Sequence, residues 1–210
     1  MEFLFDGDPA AHTTILLAHG AGAAMDTAWM TAVAGKLAER GLRVVRFEFA
    51  YMAGRRSGGS RRPPPKVTLL AEEYRAAIAA LPGEGRLIIG GKSMGGRVAS
   101  LIADDLHAER RIAGLLCLGY PFHPTGKPET LRTGHLAQLR TPTLICQGTR
   151  DPFGTQGEVA GYALSQAIAL HWLEDGDHDL KPRKRQTGLT LDDHLSSAAD
   201  AIALWVQRLV

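Results

Sequence analysis

Apolar residues along this chain follow two alternating patterns: short unbroken runs, and longer stretches in which they return every three or four positions. The runs Thr14–Ala18, Leu42–Phe47, Leu87–Ile89, Ile112–Leu118, Thr143–Gln147 and Ala167–Leu173 have the length and branching of strands buried on both faces, as in a parallel sheet. Between them, one helical face each is marked by Trp29 or Met30 with Val33 and Leu37, by Leu70, Tyr74, Ala77, Ile78 and Leu81, and by Val98, Leu101, Ile102 and Leu106. A last helix carries Leu191, Leu195, Ala198, Ile202, Trp205 or Val206, and Leu209. Gly41 and Pro82-Gly83 close the first two helices. Shorter helices are expected near Leu131–Leu139 and Glu158–Gln166, and Phe3–Phe5 reads as an edge strand before the turn Asp6-Gly7-Asp8-Pro9. Strand and helix in alternation predict an α/β architecture: one domain over 1–210, three layers, a mainly parallel central sheet, and right-handed crossovers.

One stretch breaks the pattern. Met52 to Pro65 holds Arg55, Arg56, Arg61 and Arg62, three glycines and Pro63-Pro64-Pro65; such a segment cannot bury an apolar face and is expected to be a long mobile loop. With Lys66 it forms one basic cluster, and Lys181, Arg183, Lys184 and Arg185 form a second. Charge elsewhere changes little: a net +2 gives no basis for a nucleic-acid partner, and 45% hydrophobic with 22% charged residues is an ordinary globular balance. Cys117 and Cys146 sit inside apolar runs as small core residues, not as a disulfide. No apolar stretch reaches the roughly 18 residues of a membrane span, and Met1–Asp6 has no leader pattern, so a cytoplasmic protein is expected.

The chemistry concentrates at strand ends. Gly91-Lys92-Ser93-Met94-Gly95 follows an apolar run and opens a helical period, which predicts a sharp strand-to-helix turn with Ser93 at its tip. A serine needs a base, and the base needs a partner that fixes its tautomer. Asp151 and His178 each follow a later strand, and the chain order Ser93, Asp151, His178 suits a nucleophile, an acid and a base on one sheet edge. His123 also follows a strand but precedes Asp151, His19 is expected to brace its own loop, and Asp175, Asp177 and Asp179 to shape the His178 turn. For an oxyanion, the backbone N–H groups of Met94 and, from His19-Gly20-Ala21-Gly22, of Ala21 are the candidate donors. The lesser alternative for that glycine-rich turn is a ligand-free or phosphate-binding turn, and a Walker-type nucleotide site is disfavoured by the spacing. Tyr51, Tyr120, Phe122 and Phe153 are candidates for an acyl pocket, with core packing as the alternative. The two basic loops, 55–66 and 181–185, are expected to rim the site and draw in anionic substrates, or simply to be solvated.

Gly91-Lys92-Ser93-Met94-Gly95-Gly96-Arg97, His19-Gly20-Ala21-Gly22, Tyr120-Pro121-Phe122-His123-Pro124-Thr125-Gly126-Lys127-Pro128, Gln147-Gly148-Thr149-Arg150-Asp151-Pro152-Phe153-Gly154 and Asp177-His178 together resemble the small KANL/Tex-type α/β-hydrolase-like family, a relative of dienelactone hydrolases. The resemblance spans nearly the whole chain. It implies an α/β-hydrolase fold with no large lid domain, Ser93 as nucleophile, Asp151 as acid and His178 as base. The expected activity is that of a serine hydrolase on a small ester or thioester, without metal or organic cofactor. An acyltransferase, or a hydrolase-like interaction module with an idle triad, is the alternative. Lys92 stands where many hydrolases carry histidine.

Overall fold

The computed structural model describes residues 1–56, 58–59, 63–82 and 85–209; Arg61 and Arg62 of the first basic cluster and Gly83 at the close of a helix lie outside the described residues. Seven strands form one sheet: β1 (Phe3–Asp6), β2 (Thr13–Ala18), β3 (Arg43–Phe47), β4 (Arg86–Lys92), β5 (Gly114–Leu118), β6 (Thr143–Gly148) and β7 (Ile168–Leu173). Their order is β1-β3-β2-β4-β5-β6-β7. Only β1 runs antiparallel, pairing Phe3 with Phe47 at the edge. The other five pairings are parallel, as the continuous apolar runs require.

The strand period of two divides the core. Leu16, Ile89, Leu115 and Ile145 pack on the face covered by α3 (Val67–Ala80) and α4 (Met94–Ser100). Ile15, Leu17, Ile88 and Leu116 pack on the opposite face, against α1 (Ala28–Ala38) and α8 (Leu191–Gln207). Cys117 and Cys146 fall on opposite sides of the sheet and are free and buried, which excludes a bond between them. Two strands past the β2–β4 pair, β6 and β7 carry the segments that return to the β4 tip.

Several expectations need correction. The Met52–Pro65 segment is not all loop, because α2 (Ala50–Arg56) enters it; Met52 is buried and the Arg56 guanidinium pairs with Glu48 and Asp26, at 2.7 Å in each case. The single helix expected after Ser93 is two, α4 and α5 (Ala103–Ala108). At the break the Ser100 hydroxyl donates to the Arg97 carbonyl at 2.7 Å and meets His135 Nε2 at 2.8 Å, and a serine that bonds backbone locally competes with helix continuation. The helix expected over Glu158–Gln166 is only α6 (Gln156–Val159), begun by a Thr155–Glu158 capping box. Leu131–Leu139 contains one three-residue 3₁₀ turn, Leu136–Gln138. The second basic cluster is partly helical too, in α7 (Lys184–Thr187).

Gly90 shows how tightly the central strand is packed. A Cβ there would lie 2.0 Å from the Leu116 carbonyl oxygen of β5, and the Gly90 N–H donates to the buried Tyr74 hydroxyl at 2.9 Å. Backbone cannot yield as a side chain can, so Gly90→Ala is expected to cost about 2 kcal/mol or more, read as a lower denaturant midpoint. Gly157→Ala, with nothing near its added Cβ, is the control and should hold the midpoint or raise it.

Candidate active site

Ser93 sits between β4 and α4 with φ +50° and ψ −114°, a conformation an L-residue holds only when its surroundings enforce it. The surroundings are two glycines. A Cβ on Gly91 would stand 2.4 Å from the Ala18 carbonyl oxygen, and one on Gly95 2.5 Å from the same atom. Both positions therefore allow β4 and α4 to close onto the end of β2, and the Ser93 N–H is held by the Leu118 carbonyl at 2.9 Å. Ser93 is thereby lifted to the sheet's C-terminal edge.

Its Oγ lies 2.8 Å from His178 Nε2, and His178 Nδ1 lies 2.8 Å from Asp151 Oδ2. Asp151 is fully buried and accepts two further hydrogen bonds, from Gln147 Nε2 at 2.9 Å and from the Phe153 N–H at 2.9 Å. Asp151 thus serves as an acceptor, which places the imidazole proton on Nδ1 and leaves Nε2 free to accept from the serine hydroxyl. The Phe153 ring lies against the imidazole, centroids 4.3 Å apart. Gly148 permits the approach of the His178 loop, since its Cβ would meet the Gly176 carbonyl oxygen at 2.2 Å.

Ala21 and Met94 border the same cleft as Ser93. Met94 opens α4, and the N–H groups of a first turn have no partner within their helix. The Ala21 N–H belongs to the Gly20–Ala21 peptide, whose carbonyl is held by His19 Nδ1 at 2.6 Å, while His19 Nε2 accepts from the Phe49 N–H at 3.2 Å. His19 is thus a neutral, fully buried brace with its proton on Nδ1, and it fixes the direction of the Ala21 N–H.

Burial pushes His19 below the usual histidine range, and likewise His135 and His171. The unfolded chain takes up these protons first, so stability should fall as pH drops through about 6.5, by up to about 1.4 kcal/mol per pH unit for each group. Urea midpoints at pH 7.5 and 5.5 should show this loss, and His19→Gln should reduce it by the His19 share, leaving that of His135 and His171.

The other candidates divide. Tyr120 and Phe122 are fully buried core residues, so they do not line an acyl pocket. Tyr51 donates to the Ala21 carbonyl at 2.9 Å, and Phe153 does border the cleft. His123 is buried, 3.6 Å from Glu158 and apart from Ser93's partners. Asp177 Oδ1 accepts from the Asp179 and Lys181 N–H groups, as a turn-shaping residue should. Arg183 holds the Asp175 carboxyl down at about 2, and Arg56 is committed to Glu48 and Asp26, so two cations of the expected rim already have counter-charges.

Four contributors were not singled out from sequence for what they do. Gln147 ties Asp151 to the backbone of Tyr120. Lys92 donates to the His178 carbonyl, lies 3.3 Å from Asp179 Oδ1 and 5.3 Å from the centre of the Trp29 ring, whose Nε1 in turn donates to the Asp179 carbonyl at 2.8 Å. Burial draws its ammonium below the usual lysine range, with Asp179 opposing. Arg97 and Arg132 border the cleft directly.

A family model described as an alpha/beta hydrolase domain matches residues 11–207. Among solved structures, a dienelactone hydrolase from Anabaena variabilis superposes with a TM-score of 0.70 at 20% identity, over 99% of this chain and 91% of that one. An esterase domain from a Rhodothermus marinus protein gives 0.65 at 16% identity, over 98% and 91%. A serine hydrolase without lid from Xanthomonas campestris gives 0.61 at 21%, over 98% and 88%. At these identities the likeness is one of fold.

Proposed function

The chain belongs to the alpha/beta hydrolase domain family, and on that premise we propose that it is a serine hydrolase of small carboxylic esters or thioesters, working through Ser93, His178 and Asp151. The observation that carries this reading is the imidazole of His178 spanning Ser93 Oγ and the buried Asp151 carboxylate, at 2.8 Å on each side. Ser93 attacks the carbonyl as His178 takes its proton; the Ala21 and Met94 N–H groups receive the oxyanion, each such donor contributing about 10²- to 10³-fold. His178 then protonates the leaving alkoxide or thiolate. Water, deprotonated in turn by His178, releases the acid from the acyl-enzyme. No step calls for a metal or an organic cofactor.

Ester chemistry is also what the names of the dienelactone hydrolase and esterase-domain structures report of those proteins. The run Gly91–Arg97 supports the KANL/Tex-type reading, in which the chain is one domain acting in the cytoplasm on a small molecule. A fluorophosphonate probe should add one mass increment to the wild type and none to Ser93→Ala or His178→Ala. No adduct, where a control hydrolase is labelled, would leave the interaction-module reading instead.

A further inference from the structure

Two guanidiniums border the cleft that opens on Ser93, and three arginines of the neighbouring segments make the contrast. Arg56, Arg150 and Arg183 each face a carboxylate within 3.5 Å. Among the described residues, Arg97 and Arg132 form no ion pair; Arg97 Nε is buried without any hydrogen-bond partner. The two sense each other, since Arg132 is drawn below the usual arginine range by burial and then by the Arg97 charge. His135, beside them, is depressed by burial and by Arg97 as well. Both residues are half-buried, and like charges partly withdrawn from water without a counter-ion favour the arrival of a partner of opposite sign.

Their placement is fixed. Arg97 is the fourth residue after Ser93, its N–H donating to the Ser93 carbonyl at 3.0 Å, so it lies one helical turn along the same face of α4. Arg132 is anchored through backbone: its N–H donates to the Phe122 carbonyl at 2.7 Å, and its own carbonyl accepts from the Tyr120 hydroxyl at 3.1 Å. The cleft as a whole is about 390 Å³, and beyond the arginines it is edged by apolar groups such as Val67, Leu70, Met94 and Phe153. A turn of helix spans about 5 Å, which is the length of a short aliphatic spacer.

We propose that Arg97 and Arg132 form an oxyanion-binding subsite, which selects esters or thioesters carrying a carboxylate or phosphate a few carbons from the scissile carbonyl. The inference rests on the reading of Ser93 as the nucleophile and names its substrate class. Guanidinium forks match either anion with paired N–H donors, and hydrogen bonds to charged groups are strong enough to discriminate. The basic loops then need not recognise the substrate; the recognising cations are inside the cleft.

The test compares kcat/KM for 4-nitrophenyl hemiglutarate with that for the neutral 4-nitrophenyl pentanoate. The wild type should favour the hemiglutarate by about tenfold or more, and the ratio should fall toward one in the double variant Arg97→Gln, Arg132→Gln. Arg97→Lys, which keeps the charge, should retain part of it. In parallel, calorimetry on the Ser93→Ala protein with monomethyl glutarate and, separately, inorganic phosphate should show binding that the two Gln changes remove, and the tighter of the two names the anion. Equal turnover of both esters with no anion binding would overturn the subsite, as would a preference that survives the double variant. Anion binding that depends on both arginines, in a protein that turns over neither ester and takes no fluorophosphonate, would keep the subsite and sink the hydrolase reading.

Discussion

Ser93→Ala should lower kcat for an activated ester by on the order of 10⁵- to 10⁶-fold, with His178→Ala close behind and the double variant no worse than either single one. The three side chains act as a unit, so once one is gone the remaining two have nothing to act on. Asp151→Asn keeps a hydrogen-bonding group in the buried site but can present its amide to Nδ1, which turns the imidazole to the wrong tautomer; a loss of about 10⁴-fold is expected. Stability should move the other way at Ser93. Its φ of +50° is strained for serine and easy for glycine, so Ser93→Gly should raise the unfolding free energy by about 1 kcal/mol while abolishing turnover. Initial rates on 4-nitrophenyl esters and a urea titration check both. A kcat within tenfold of wild type in Ser93→Ala would remove Ser93 from the mechanism.

The sequence is legible where function is written in local pattern. An apolar run, two glycines around a serine and a helical period are enough to place Ser93 at a turn, and a candidate acid and base after later strands can be ordered along the chain before their distances are known. The structure brings His178 within hydrogen-bonding reach of both Asp151 and Ser93. Layer assignment follows from the period of two in Ile15-Leu16-Leu17 and its neighbours, because each alternate residue must find one of two cores. What is not legible depends on partners far along the chain. Arg56 reads as loop charge until Glu48 and Asp26 are beside it, and only then can its segment be helix. Where α4 ends, Ser100 bonds back to Arg97 and out to His135, a meeting that no periodicity announces. Arg97 and Arg132 read like any other arginines until the cleft they border is assembled around them, a property of space rather than of sequence.

Lys92 is the strongest case of this kind, and its removal should separate activity from stability. It reaches across 86 positions to the carbonyl of His178 and, with Trp29, brackets Asp179, so the loop that carries the imidazole is held from the β4 side. Lys92→Met leaves a shape of similar length but no donor. The His178 carbonyl loses a partner, a cost of about 1 to 3 kcal/mol; against this, a buried ammonium no longer has to be desolvated, and Asp179, with a side chain 69% exposed, is returned to water without penalty. The melting temperature should therefore change little. The imidazole, freed to shift by a fraction of an ångström to an ångström, should lose alignment with Ser93, and kcat should fall by about 10²-fold while KM stays within about twofold, because substrate contacts lie on the other side of Ser93. Lys92→Arg, which retains a donor on the same strand, should recover part of the rate. The measurement is kcat per fluorophosphonate-titrated site beside a melting curve: a structural prop alone would lower the melting temperature and leave kcat per titrated site intact, whereas a positioning residue lowers kcat in a protein that still melts where the wild type does.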